Sequence, residues 1–345
     1  MIPIQNIYYM LSYAFQVLNE QCYKNIATEQ FNNTGELMAA ILEKGIAIQI
    51  KRGLGKEYIL QTEALSSLQG KIDIAESIKT QSMLRKQLIC TYDEFSVNSI
   101  MNRIIKSTVE LLLRSNISKQ RKKNLRKLMV YFSEVDFIDL YTVNWNVQYN
   151  RNNQTYHMLI SICYLVVKGL LQTQSNGHTK LMDFLDEQRM CRLYEKFILE
   201  YYRKEFKNQF TANASQIPWQ LDNEENSMLP VMQSDIMLQS GEKVLIIDAK
   251  YYEHSTQVQF DKHTLHSGNL YQIFTYVKNK EYELREKDHT VSGMLLYAKT
   301  DEEIYPNNVY QMSGNQITVR TLDLNLPFDE IAGQLNTIAK THFDL

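Results

Sequence analysis

The chain has 345 residues, with 37 basic and 39 acidic side chains and a net charge of −2. No global field draws it onto nucleic acid, so any such contact must come from a local patch or from a partner. Cys22, Cys90, Cys163 and Cys191 are far apart with no CxxC, which argues against a disulfide framework or a cysteine zinc site and for reduced thiols. The length allows two domains; no signal peptide is read, and no apolar run reaches the ~20 residues of a bilayer span. The expected location is therefore cytoplasmic.

From the N-terminus, Ile7, Met10, Leu11, Ala14, Phe15 and Leu18 fall on one stripe of a predicted helix over 6–19. A second helix is expected over about 34–46. Ile46 to Lys51 and Glu57 to Thr62 are then read as strands joined by a turn at Arg52-Gly-Leu-Gly-Lys56. Short strands are expected near 69–74 and 87–95, and an amphipathic helix over 98–114. Residues 1–150 thus read as an α+β N-terminal domain. Within it, residues 119–127 hold six basic side chains in nine positions. That run is either a solvated face or a phosphate contact.

A polar, turn-rich stretch near Tyr149 sets the expected boundary, with the second domain at 151–345. Helices are predicted over about 154–172 and 186–208, around a loop at 172–179. A polar segment over 213–230 leads to a hairpin. Ser234-Asp-Ile-Met-Leu238 forms its first strand, a Ser-Gly turn follows at 240–241, and Val244-Leu-Ile-Ile-Asp-Ala-Lys-Tyr251 forms the second. After a flexible stretch to Gly268 come a helix from Asn269, strands near 292–298 and 316–324, and a helix from about 328. This order predicts an α/β domain with a mixed central sheet.

Side chains alternate along a strand, so Asp248 and Lys250 share a face and Ala249 points away. Asp235 on the neighbouring strand adds a second carboxylate. Two acids and an ammonium at the end of a buried sheet suit a hard divalent cation, Mg²⁺ with Mn²⁺ as the alternative. Asp235 and Asp248 are its expected ligands, and the Ala249 carbonyl is a further one. Lys250 would orient a water or neutralise charge on phosphate. Asp-x-Lys alone is common, and the plainer reading is a strand end whose acid and lysine pair with each other. A helical acid is also expected, Glu195 first and Glu200 as fallback. Gln272 would bond the site or a DNA backbone, unless it is an exposed helical amide. His254, His263 and His266 lack companions at zinc-ligand spacing. Gly53-Leu-Gly-Lys56 lacks the length and terminal hydroxyl of a phosphate-binding loop, so no nucleotide is expected to bind this chain.

Several stretches occur together in order. They are Ile2-Pro-Ile-Gln-Asn-Ile-Tyr-Tyr-Met-Leu-Ser-Tyr-Ala14, Arg52-Gly-Leu54, Gly70-Lys-Ile-Asp73, Asn102-Arg-Ile-Ile-Lys-Ser-Thr108, Asp235, Ile246-Ile-Asp-Ala-Lys-Tyr-Tyr252 and Asn269-Leu-Tyr-Gln272. From the N-terminus to at least residue 300 the chain resembles McrC, the nuclease subunit of McrBC modification-dependent (5-methylcytosine) restriction systems. The resemblance implies a PD-(D/E)xK restriction-endonuclease-like fold for residues 151–345, with Asp235, Asp248 and Lys250 on its motif. It implies cleavage of modified double-stranded DNA by a chain that self-associates within its complex. It also implies that residues 1–150 dock on, and stimulate, a ring-forming McrB-like AAA+ GTPase. One departure is that Pro230 stands five residues before Asp235, so the literal Pro-Asp is missing. The competing expectations are a non-catalytic activator of such a GTPase and a stand-alone DNA nuclease.

Overall fold

The computed structural model describes residues 2–20, 23, 26, 29–149, 153–175, 187–222, 228–252, 257–259, 262–299 and 305–345. Cys22, His254 and residues 176–179 of the expected 172–179 loop lie outside the described residues, while 172–175 are helical. The chain forms two compact units, residues 31–184 and residues 1–30 with 185–345. This division does not coincide with a linear cut near residue 150. Helix α1 (Ile4–Ala14) belongs with the C-terminal part. There Asn6 Nδ2 donates to the Leu324 and Leu326 carbonyls at 2.7 and 2.9 Å, and Tyr13 packs on Phe197, Tyr201 and Phe328.

In the unit 31–184, α2 runs Thr34–Arg52. Asn33 Oδ1 caps its start by accepting from the Glu36 N–H at 2.8 Å, and Gly53, at φ 91°, ends it. The strand expected over 46–51 is therefore the last turns of this helix. Ile46, Ile48 and Ile50 mimic strand alternation, yet over 41–50 only Ile41, Leu42, Gly45 and Ile46 are buried, the i, i+4 spacing of a helix. Strands β1 (Glu57–Leu65), β2 (Lys71–Asp73) and β3 (Leu88–Ser96) form an antiparallel sheet in the order β1-β3-β2, with α3 (Ile74–Lys79) between β2 and β3.

Next come α4 (Ile100–Arg114), α5 (Lys119–Met129) and α6 (Gln154–Ser175), the first two capped by Ser99 and Ser118. Asn102, fully buried, ties this unit together. Its Nδ2 donates to the Gly55 and Val97 carbonyls, both at 2.8 Å, and its Oδ1 accepts from Tyr156 Oη at 2.6 Å. Tyr156 Oη accepts in turn from the Gly55 N–H at 2.7 Å. Buried amides and hydroxyls need such partners, so Arg52-Gly-Leu-Gly and Asn102 have a structural task here.

In the other unit, α7 (Glu187–Glu205) precedes a mixed six-stranded sheet. Its strands are β4 (Thr211–Asn213), β7 (Ile236–Ser240), β8 (Lys243–Lys250), β11 (Thr290–Ala298), β12 (Asn308–Met312) and β13 (Asn315–Leu322). The order is β12-β13-β11-β8-β7-β4. β8, β11 and β13 run parallel, and the other pairs are antiparallel. Edge strand β4, of three residues, carries too short a pattern to stand out in the sequence, and β12 is not among the predicted strands. Two small ribbons, β5 (Gln216–Ile217) with β6 (Met232–Gln233) and β9 (Gln257–Gln259) with β10 (Lys262–Thr264), form separate two-stranded sheets. The second lies in the stretch expected to be flexible.

Helix α8 (Ser267–Leu284) covers one face of the sheet, burying Ile273, Val277 and Leu284 against Val244, Ile246, Leu295, Ile317 and Val319. Helix α9 (Phe328–Phe343) packs with α7, where Tyr202 Oη donates to the Leu335 carbonyl at 3.0 Å. β8 is paired on both edges, and its run Val244–Ile247 is also buried on both faces, as expected of a central strand.

Candidate active site

The β7–β8 hairpin pairs Ser240 with Lys243 across a turn in which Gly241 takes φ 57°, a backbone region that glycine enters without strain. The register runs to Ile236 opposite Ile247. One step further places Asp235, immediately before β7, across from Asp248. Residues directly opposite in an antiparallel pair point to the same face, so the hairpin itself brings the two acids together. Asp235 Oδ2 accepts the Ala249 N–H at 2.9 Å. The preceding residue is also fixed, because the buried Ser234 donates its N–H to the Ser215 carbonyl at 3.0 Å.

Asp248 is 1% exposed on a strand otherwise apolar between 244 and 249. Lys250 Nζ lies 3.0 Å from its Oδ1 and 2.9 Å from its Oδ2. Only Oδ1 has hydrogen-bond geometry, so Oδ2 is buried without a hydrogen bond. Burial drives the Asp248 carboxyl up to about 7; the Lys250 ammonium opposes this and the Asp235 carboxylate reinforces it. Asp235 is also raised, again by burial, with Lys250 and the Ala249 N–H pulling it down. Burial would lower the Lys250 pKa, but the Asp248 carboxylate outweighs it and holds the ammonium charged. One buried and one half-buried carboxylate served by one cation leave negative charge in excess, which a divalent ion would neutralise.

Gln272 on α8 accepts from Lys250 Nζ at 3.3 Å and donates to Tyr276 Oη at 2.9 Å. It therefore belongs to the cluster. Beside it, Asn269 donates to Tyr297 Oη at 2.9 Å and accepts from Tyr252 Oη at 3.3 Å. On α7, Glu195 is half-buried; burial and the nearby Asp235 carboxylate raise its pKa. Glu200 instead pairs with Arg203 at 2.7 Å. The structure thus brings Asp235, Asp248, Ala249, Lys250, Gln272 and Glu195 together and leaves Glu200 out. Cys191 was not anticipated. Its Sγ donates to Glu195 Oε1 at 3.0 Å and lies 4.0 Å from the Ala249 carbonyl oxygen. The available signal was its position one helical turn before Glu195.

Among the described residues, no three His, Cys, Asp or Glu side chains form a group able to hold a metal ion. A dedicated all-protein cage is therefore absent from that part of the chain. The donor set is two carboxylates and a backbone carbonyl, with one buried carboxylate oxygen lacking a hydrogen bond. This is the sparse oxygen set that Mg²⁺ accepts when waters and substrate phosphate complete its shell. Also among the described residues, no helix is long and apolar enough to cross a membrane.

Comparison with known proteins agrees with the resemblance read from the sequence. A protein of Escherichia coli strain K12, the type IV methyl-directed restriction enzyme EcoKMcrBC, is 30% identical over 329 residues, covering 94% of this chain and 93% of its own. A chain in the refined half-complex from the tetradecameric assembly of Thermococcus gammatolerans McrB AAA+ hexamers with bound McrC is 17% identical. Its TM-score is 0.49, and the match covers 97% of this chain and 76% of that one. The cryo-EM structure of the Thermococcus gammatolerans McrBC complex gives 19% identity, a TM-score of 0.42 and 59% coverage of each chain. The family model for McrBC 5-methylcytosine restriction system components matches residues 5–298, and with that span and the near full-length relative, the chain belongs to this family.

Proposed function

We propose that this chain is the McrC-type nuclease subunit of its system, a Mg²⁺-dependent endodeoxyribonuclease with a PD-(D/E)xK centre. It cleaves modified double-stranded DNA when assembled with a GTP-hydrolysing AAA+ ring whose GTPase it stimulates. The observation that carries this reading is the coupled set at the hairpin: Asp235 opposite Asp248, with Lys250 held by Asp248 and Gln272. Family membership supports the restriction setting, and the E. coli relative is named for methyl-directed restriction.

Asp235, Asp248 and the Ala249 carbonyl would hold the metal, which when bound supplies Lewis-acid polarisation of the phosphodiester and a more acidic water. The protein's own groups prepare the rest. The Ala249 N–H keeps Asp235 turned toward Asp248. Gln272 gives Lys250 Nζ a second acceptor, which fixes the ammonium where it would neutralise charge growing on a phosphate oxygen. Glu195, raised in pKa and held by Cys191, is placed to hold or pass a proton. Docking on the ring is assigned to the stretch 1–150, although α1 is built into the unit that contains the hairpin.

The test is cleavage of methylated duplex DNA by the reconstituted complex with GTP and Mg²⁺. Asp248→Ala and Lys250→Ala should each abolish cleavage while GTPase stimulation persists. Undiminished cleavage by both variants would overturn the nuclease assignment. Cleavage by the purified chain alone would instead mark a stand-alone nuclease.

A further inference from the structure

Residues 111–133 contain seven basic side chains and no acid. Five of the seven, Lys119, Lys122, Lys123, Arg126 and Lys127, stand on α5 at positions i, i+3, i+4, i+7 and i+8, the spacing of a single helical face. The opposite face carries Leu125, fully buried, and Arg121, whose side chain is 15% exposed. Arg121 pairs with Glu43 at 2.9 Å and reaches Glu36 at 3.7 Å. Asn124 donates to the other Glu43 oxygen at 2.9 Å, and the Ser118 N–H donates to Glu36. Glu36 and Glu43 are thus already bonded to Arg121, Asn124 and the Ser118 N–H.

The five remaining cations make no ion pair with any described acid. Lys122 is half-buried and the other four are exposed. Exposed Val130 and Tyr131 continue the chain beyond the helix. A merely soluble helix face mixes both signs, whereas an unbroken cationic stripe costs self-repulsion unless a polyanion meets it.

We propose that this face of α5 is a sequence-independent contact for the phosphodiester backbone of duplex DNA. The stripe spans about 12 Å at the helical rise, the axial length over which one DNA strand presents three to four phosphates. The contact supplies locally the attraction that a net charge of −2 denies the chain as a whole. It rests on the reading of the chain as a DNA-acting protein, but it concerns grip and makes no demand on the hairpin.

The experiment is fluorescence anisotropy of an unmodified 30-base-pair duplex with the full chain in EDTA, so that binding is read apart from cleavage. Replacing Lys119, Lys122, Lys123, Arg126 and Lys127 together by Gln should weaken binding at least tenfold at moderate salt. It should also flatten the log Kd against log salt slope by about 3, with thermal melting unchanged. Five equivalent changes at the exposed Lys51, Lys71, Lys79, Arg85 and Lys86 make the same charge difference elsewhere on the unit, and should leave the slope nearly intact. An unchanged slope in the α5 variant overturns the proposal, as does an equal loss in the control. Normal DNA binding with weakened association to the AAA+ ring would also overturn it, because the stripe would then face an acidic protein. Lost cleavage by Asp248→Ala has no bearing on these readings, so the two assignments fail separately.

Discussion

The Ala249 N–H and Asp235 Oδ2, 2.9 Å apart, tie the first acid of the hairpin to the strand that carries the second. Asp235→Asn keeps an acceptor for that N–H and removes the charge, whereas Asp235→Ala removes both. Cleavage should fall by about 10²-fold or more in each, as for loss of a preorganised electrostatic group. Only the Ala variant should also lose stability, by ~1–3 kcal/mol for the orphaned N–H. Urea unfolding separates the two.

The raised Asp248 pKa gives stability a pH dependence with a definite sign. Between its ordinary 3.8 and about 7 the folded chain holds a proton that the unfolded chain has released, so this group's contribution falls as pH rises through that window. The cost of a buried carboxylate is then fully present above about 7. Relative to Asp248→Asn, the wild type should be more stable at pH 5 than at pH 8, and Mg²⁺ should recover the difference at pH 8. Denaturant melts at both pH values, with and without Mg²⁺, provide the check.

Lys250→Ala leaves Asp248 buried without its cation. The loss should reach ~2–4 kcal/mol at pH 8, and less at pH 5, where the acid takes a proton instead. Pairing the change with Asp248→Asn should return most of the lost stability but no cleavage. A double-mutant cycle on unfolding free energy measures this coupling.

Glu195 and Glu200 lie on the same helix but have different surroundings. Glu195→Gln should lower cleavage by about tenfold or more, consistent with the 10²–10⁴-fold span of acid–base contributions. It should also shift the acid limb of the pH–rate profile. Glu200→Gln, which removes only the Arg203 pair, should stay within about twofold, since exposed pairs of this kind contribute ~0–1 kcal/mol. Equal losses would assign a role to neither acid.

Gly293 sets the height of α8 above the sheet. A Cβ there would stand 2.8 Å from Ile273 Cγ1 and 2.9 Å from both Val277 Cγ2 and Ile317 Cδ1. Gly293→Ala should therefore cost ~1–3 kcal/mol by overpacking and slow cleavage, because Gln272 rides on the displaced helix. Gly333→Ala on α9 meets nothing within 4 Å and should stabilise by roughly 0.5–1 kcal/mol. Thermal melting of both variants, with a cleavage assay for the first, tests this.

What was legible in the sequence lies where one periodicity governs. The continuous apolar run Val244–Ile247 marks a central strand ending in an acid and a lysine, and the Ser-Gly turn pairs it with the strand that Asp235 precedes. The basic run at 119–127 is visible as charge alone. Ile46, Ile48 and Ile50 misled because β-branched residues at period two imitate a strand, while the Asn33 cap and the Gly53 stop fix a helix around them.

Tertiary structure decided the rest, because distance in space is not written in spacing. It set Glu195 near Asp235 and paired Glu200 with Arg203, set Cys191 against the Ala249 carbonyl, and placed α1 with a unit that resumes more than 150 residues later. It also turned Arg121 inward and left the other five cations of α5 on the opposite face. Local physics wrote the hairpin, whereas burial and packing determined which neighbours give its carboxylates their chemistry.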